Sequence, residues 1–162
     1  MGVAGSGKST LGAALAERMG WPMIEGDDFH SNENRTKMRA GVALSDADRE
    51  GWLRSLAREL QARPGGAVLT CSALKRSYRD LLRAESPGLA FVFLDISEDE
   101  ALWRVQARGQ HFFPPQLLQS QFAILEAPID EPRVLRLDAG LPLENLVDQI
   151  VEWLTSNSGP PV

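Results

Sequence analysis

A three-layer α/β fold, with a parallel sheet between helices and a phosphate-binding loop at its head, is what the sequence predicts, on three observations. The first ten residues contain Gly2-Val3-Ala4-Gly5-Ser6-Gly7-Lys8-Ser9-Thr10, which completes the pattern G-x-x-x-x-G-K-[ST]. Apolar runs of strand length alternate with helical patterns throughout, the signature of a parallel sheet covered by helices. The composition, 43% hydrophobic and 24% charged over 162 residues, suits one domain with a sizeable core.

The loop is read as the seat of a nucleoside triphosphate. Its glycines let the backbone turn N–H groups toward an anion, and the helix that follows directs its positive end at the phosphates. Lys8 is expected at the β- and γ-phosphates, and the Ser9 hydroxyl on Mg²⁺. A loop of this kind normally follows a buried strand, yet only Met1 precedes Gly2. The central strand of the fold is therefore expected to be missing from the chain as given.

After the loop, Leu11, Leu15 and Met19 with Ala14 and Ala16 form the apolar stripe of a helix that Gly20 stops. Pro22 to Glu25 is a short strand candidate, and Glu33 to Ala40 a short charged helix. Ser45 caps a helix carrying Trp52, Leu53, Leu56, Ala57 and Leu60. Ala67 to Cys71 reads as a buried strand, and Lys75 to Ala84 as the helix after it. Leu89 to Asp95, apolar on both faces, is the clearest strand. Glu98 to Arg108 is a helix, and Pro114 or Pro115 opens another that ends near Pro128. Arg133 to Leu137 is a last strand, and Leu143 to Leu154 a last amphipathic helix. One domain is expected over 1–155, with a lid at about 104–120 and a disordered tail at 156–162.

Twenty-two acidic residues outnumber seventeen Lys and Arg, and the formal charge of −5 argues against general affinity for nucleic acid or anionic membranes. No apolar run is long enough to span a bilayer, and no signal peptide is visible. Cys71 is the one cysteine, which excludes an internal disulfide and suits a reducing compartment, so a cytoplasmic setting is expected. His30, His111 and Cys71 have no metal-ligand spacing. The four tryptophans, Trp21, Trp52, Trp103 and Trp153, read as core or boundary residues.

Asp27 and Asp28 stand just beyond the strand candidate at Met23 to Glu25, where ligands gather in open parallel sheets. A carboxylate there can take a proton from a hydroxyl or hold the water shell of Mg²⁺, and Asp27 is favoured for both. Asp95 imitates a metal-binding carboxylate at a strand end, but a turn residue would look the same. Lys75 and Arg79 share a helical face and either meet an anionic substrate or form a solvated cluster. Arg104 and Arg108 share another face and lead into the hinge-like Gly109 to Pro115. They either close over the phosphates or belong to a plain connection.

The order of motifs resembles the gluconate kinases, small members of the shikimate-kinase-like group of P-loop kinases. The resemblance rests on the phosphate loop, Gly26-Asp27-Asp28-Phe29-His30, Asn34-Arg35-Thr36-Lys37-Met38, and Leu44-Ser45-Asp46-Ala47-Asp48-Arg49 with Trp52. It continues in Cys71-Ser72-Ala73-Leu74-Lys75, Tyr78 to Arg83, Gly109-Gln110-His111-Phe112-Phe113, and Leu117 to Phe122 with Leu125-Glu126. It implies a P-loop kinase fold with a helical lid and transfer of the ATP γ-phosphoryl to the 6-hydroxyl of D-gluconate, usually in a homodimer. Carried across, Asp27 receives or orients the hydroxyl proton, and Gly2 to Ser9, with Thr10 beside them, bind ATP·Mg²⁺. Lys75 and Arg79 lie near the sugar acid or its phosphate, His30 bonds the polyol, and Arg104 or Arg108 reaches the phosphates. The chain departs from the family at Glu25, where an Asp is common. The resemblance also implies that Met1 is an internal methionine taken for the start. Rival readings are a related kinase acting on shikimate, a nucleotide or another hydroxylated acid, and a non-catalytic nucleotide-binding module.

Overall fold

A computed structural model describes residues 1–107 and 114–157. Arg108, His111 and the rest of the 108–113 segment, and residues 158–162 of the expected tail, lie outside the described residues.

Helix α1 (Lys8–Met19) starts directly from the phosphate loop. Gly7, at φ 93°, takes the left-handed turn that lets the chain enter the helix with no side chain over the loop. The helix ends at Gly20, whose N–H bonds the Ala16 and Glu17 carbonyls. Strand β1 (Met23–Glu25) follows, then a 3₁₀ turn at Gly26–Phe29 that the sequence reading did not foresee. Helix α2 (Asn32–Arg39) is capped by the Ser31 hydroxyl, which accepts from the Asn34 N–H. Helix α3 (Asp46–Gln61) opens on a full capping box, Ser45 and Asp48 each bonding the other's backbone N–H.

Strand β2 (Val68–Thr70) leads to α4 (Arg76–Glu85), and β3 (Phe91–Asp95) to α5 (Glu98–Ala107). Then come α6 (Pro115–Ile124), with proline in its first turn, β4 (Val134–Asp138) and α7 (Leu143–Asn157). Every expected helix and strand is present, with ends shifted by one or two residues for most. Helix α7 runs to Asn157, two residues into the expected tail. Among the described residues no helix is long and apolar enough to cross a membrane.

All strand pairing is parallel, but one sheet has become two pairs. β1 pairs with β2, Met23 opposite Val68 and Glu25 opposite Thr70, while β3 pairs with β4, Phe91 opposite Val134 and Asp95 opposite Asp138. Met1 and Gly2 bridge the pairs. The Met1 nitrogen donates to the Val92 carbonyl, the Leu94 N–H donates to Met1 at 3.0 Å, and the Gly2 N–H donates to Ser72 at 3.2 Å.

Helices cover both faces of this split sheet. Leu11 and Leu15 of α1 pack with Leu146, Val147 and Ile150 of α7 against Leu94 and Leu137. Trp52, Leu53 and Leu56 of α3 pack with Tyr78 and Leu82 of α4 against Cys71 and Phe91. A smaller cluster, Val3, Leu74, Ala101 and Leu118, sits beneath the phosphate loop and ties it to α5 and α6. Trp52 is buried as expected, but Trp103 is 64% exposed, because α5 turns that position away from the core.

Candidate active site

A cavity of about 510 Å³ opens at the C-terminal ends of β1 and β2. Ala4, Gly5, Gly7, Lys8 and Ser9 form one wall, and Glu25, Asp27 and His30 form another. Arg49 and Trp52 of α3 line it too, and Ser120 and Gln121 reach it from α6. The sequence thus delivers the phosphate loop and the favoured carboxylate to one space, since a parallel sheet gathers its loops at one edge.

The loop is held from inside. Ser6 is buried, and its hydroxyl donates to the Val3 carbonyl at 2.9 Å. The same carbonyl accepts from Lys8 Nζ at 2.8 Å, which lays the lysine across the loop. Gln121 accepts the Ala4 N–H at 2.6 Å and fastens the loop to α6. Ser9 and Thr10 are exposed in the first turn of α1.

Asp27 is placed by the 3₁₀ turn. A Cβ on Gly26 would lie 2.2 Å from the Thr70 carbonyl, so only glycine lets β1 turn so close to β2. The Gly26 carbonyl then accepts the Trp52 indole N–H at 2.7 Å. Arg35 holds the far side of the turn, donating to the Asp28 and His30 carbonyls. The Asp27 side chain stands 83% exposed over the cavity, with its Oδ1 4.0 Å from His30 Nε2. His30 is buried and stacks on Trp52, and its Nδ1 has no hydrogen-bond partner. Burial pushes the His30 pKa below its ordinary value of 6.5, against the pull of Asp27. The imidazole is therefore neutral at pH 7 and presents one donor and one acceptor.

Two expected substrate residues are not at the cavity. Arg79 is fully buried, and its donors are taken by Glu131 and by the Ala73, Leu74 and Glu126 carbonyls. These bonds tie α4 to the segment before β4 and engage every N–H of the guanidinium. Lys75 donates to both Asp46 carboxylate oxygens at 2.8 Å and does not line the cavity. Arg104 is likewise away from the lining: its Nε donates to Glu100 at 2.7 Å and its Nη1 to the Ala139 carbonyl at 3.1 Å. Arg108 lies outside the described residues. Asp95 is the last residue of β3 and pairs with Arg136 on the neighbouring strand.

The cation the sequence reading assigned no role is Arg49. It stands one turn before Trp52 on α3, lines the cavity, and donates to the Leu44 carbonyl and, at 3.4 Å, to the Tyr78 hydroxyl. Tyr78 in turn donates to Asp46, which also binds Lys75. The signal was the i, i+3 spacing of Arg49 and Trp52, which puts the cation on the face that meets the 3₁₀ turn. Glu25 accepts from the Thr70 hydroxyl at the cavity wall. Among the described residues no three His, Cys, Asp or Glu side chains cluster as a metal cage. The oxygen donors Ser9 and Asp27 suit Mg²⁺, which keeps several waters and leans on substrate phosphates. Cys71 is buried, and burial pushes its thiol up to about 12, so it is not a nucleophile.

The model of the family described as Shikimate kinase matches residues 4–127. The gluconokinase of Gluconobacter oxydans is 48% identical over 140 residues, covering 85% of this chain and 79% of its own. The thermosensitive gluconokinase of Escherichia coli is 40% identical over 153 residues, covering 92% and 82%. A crystal structure of a gluconokinase from Sinorhizobium meliloti superposes with a TM-score of 0.86 at 45% identity, over 98% of this chain and 95% of that one. A phosphate loop facing a carboxylate across one cavity, joined to these likenesses along most of its length, shows that the chain belongs to the shikimate kinase family, in its gluconokinase branch.

Proposed function

We propose that this protein transfers the γ-phosphoryl of ATP to the 6-hydroxyl of D-gluconate, giving 6-phospho-D-gluconate. The observation that carries the reading is the single cavity in which Lys8 and Ser9 face Asp27, His30 and Arg49.

The phosphates of ATP rest against the loop N–H groups and the start of α1, with Lys8 swinging from the Val3 carbonyl to the β- and γ-oxygens. Ser9 and Asp27 would hold Mg²⁺ through oxygen ligands and water, and the ion would supply charge neutralisation at the phosphates. Asp27 accepts or orients the proton of the attacking hydroxyl, whose oxygen forms the new bond to phosphorus as ADP leaves. His30, neutral and with an unpartnered nitrogen, suits a polyol hydroxyl. Arg49 is the cation best placed for the gluconate carboxylate. Arg108 belongs to the lid in this reading. A homodimer in the cytoplasm is part of the same proposal, supported by the resemblance alone, and sedimentation would test the assembly.

The deciding experiment is a coupled ADP-release assay with ATP, Mg²⁺ and either D-gluconate, shikimate or another hydroxylated acid. Saturable turnover on gluconate alone supports the proposal. ADP release with another acid and none with gluconate overturns the substrate, and nucleotide binding without turnover on any acid overturns the reaction.

A further inference from the structure

One peptide group of the phosphate loop is held at both ends, by partners that differ in kind. The Val3 carbonyl accepts from the Ser6 hydroxyl at 2.9 Å and from Lys8 Nζ at 2.8 Å. The N–H of the same peptide, on Ala4, donates to Gln121 Oε1 at 2.6 Å. Ser6 and Lys8 belong to the loop itself, whereas Gln121 stands 117 positions away in the chain. Ala4, Lys8 and Gln121 all line the cavity that also holds Asp27.

Gln121 reaches the loop from a rigid mount. It lies one turn after Leu118 on α6, and Leu118 is buried with Val3, Leu74 and Ala101 beneath the loop. Just past the helix the Glu126 N–H donates to the Leu74 carbonyl at 2.9 Å, and the Glu126 carboxylate accepts the Arg76 N–H at 2.6 Å. The end of α6 is thereby tied to the start of α4. Chemistry fixes the orientation of the Gln121 amide: the Ala4 N–H can only donate, so the amide oxygen faces it and the –NH2 faces away. Gln121 makes no other hydrogen bond among the described residues, which leaves both N–H groups of that –NH2 for a ligand at the cavity. An anchor alone needs one acceptor, and a glutamine brings two donors with it.

We propose that the Gln121 amide is a catalytic group for phosphoryl transfer, its oxygen holding the Ala4 N–H while its –NH2 donates to a non-bridging oxygen of the γ-phosphoryl, a role that rests on the kinase reading above. Lys8 Nζ, which serves the β- and γ-phosphates in such loops, bonds the same peptide that Gln121 holds, so the glutamine stands at the γ end of the loop. As the substrate hydroxyl oxygen bonds to phosphorus, its proton passes to Asp27, the bond from phosphorus to the β–γ bridging oxygen breaks, and the electron pair of that bond leaves with ADP. Negative charge is spread over the equatorial oxygens meanwhile, and a fixed donor aimed at one of them stabilises it.

Two variants separate the donor from the anchor. Gln121→Glu keeps an oxygen for the Ala4 N–H but puts an anion where the –NH2 stood, and Gln121→Met has a similar length with neither donor nor acceptor. Each is compared with the unaltered chain for binding of ADP and of a β,γ-imido ATP analogue by calorimetry with Mg²⁺, for kcat, and for exchange of the Ala4 amide. Gln121→Glu is expected to bind ADP within about 2-fold of the unaltered chain and the analogue at least about 10-fold more weakly. Its kcat should fall by about 10²–10³-fold with the Ala4 amide as protected as before. Gln121→Met should lose turnover similarly and expose the Ala4 amide to exchange. If Gln121→Glu does not fold, the loss of analogue relative to ADP is read on Gln121→Met instead. Near-normal turnover in Gln121→Glu, or loss of ADP and analogue affinity by the same factor, overturns the proposal and leaves Gln121 a support of the loop. An unaltered chain that binds neither nucleotide brings down the kinase reading, and this role with it. Nucleotide binding without use of gluconate brings down the substrate alone, and the two nucleotides still decide what Gln121 does.

Discussion

The imidazole of His30 lies flat on the indole of Trp52, the ring centroids 4.3 Å apart and the planes inclined by 14°. The same indole donates to the Gly26 carbonyl. One side chain of α3 therefore supports the turn that carries Asp27 from below and the histidine beside it from the side.

Trp52→Phe keeps an aromatic ring under His30 but removes the donor and leaves the Gly26 carbonyl without it. A loss of about 1–3 kcal/mol of stability is expected, together with a fall in kcat as Asp27 loses its fixed place. Denaturant unfolding and steady-state kinetics on the same preparation check both.

Asp27→Asn retains size and removes the carboxylate. Turnover is expected to fall by about 10²–10⁴-fold with the fold unchanged, and ATP binding is expected to persist. Lys8→Ala should abolish turnover with the fold likewise intact. Near-normal turnover in either variant would show that the reacting hydroxyl sits elsewhere.

Arg49→Ala removes the cation that lines the cavity. A charged hydrogen bond to a carboxylate is worth about 1.5–3 kcal/mol, so KM for gluconate should rise by about 10–100-fold while KM for ATP stays close to its original value. An equal rise in both would place Arg49 at the nucleotide instead. Lys75→Ala, in contrast, is expected to leave KM for gluconate nearly unchanged, since its partner is Asp46.

Acid should open the molecule at Arg79. The Arg79 guanidinium, followed by Arg83, holds the Glu131 carboxyl down to about 2 from an ordinary 4.5. A carboxylate depressed in the folded state contributes stability that is fully present above pH 4.5 and is lost as pH falls from there toward 2. The contribution is on the order of 3 kcal/mol. Glu131→Gln should destabilise the protein at pH 7 by about 3–5 kcal/mol, because it strands a buried guanidinium, and should flatten the acid limb of the stability profile. An acid limb unchanged by Glu131→Gln would assign it to other carboxylates.

What was legible in the sequence is what contiguous residues decide. The phosphate loop is built from Gly2 to Ser9 and the helix that starts at Lys8, so its pattern could be read without knowing any neighbour. Capping by Ser45 and the stop at Gly20 are equally local. Asp27 could be singled out because it stands just beyond the end of a strand, and in a parallel sheet that position directs it to the ligand edge.

Arg79 shows where such reasoning stops. Its spacing from Lys75 says that the two share a face of α4, but which face is buried depends on Glu131, 52 residues away in the chain. Arg49 is the converse case: a charge near a helix start shows no partner in the sequence, and it reaches the cavity because α3 packs its Trp52 under the 3₁₀ turn.

The sequence by itself determined the alternation of strands and helices, the anion-binding loop and the carboxylate just beyond β1, because backbone conformation and periodicity are set by near neighbours. Only the tertiary structure decided which cations reach the cavity and which are consumed in the core, and which strand pairs with which. Burial and strand pairing depend on residues far apart in the chain, and a side chain's charge does not say which of its possible partners will reach it first.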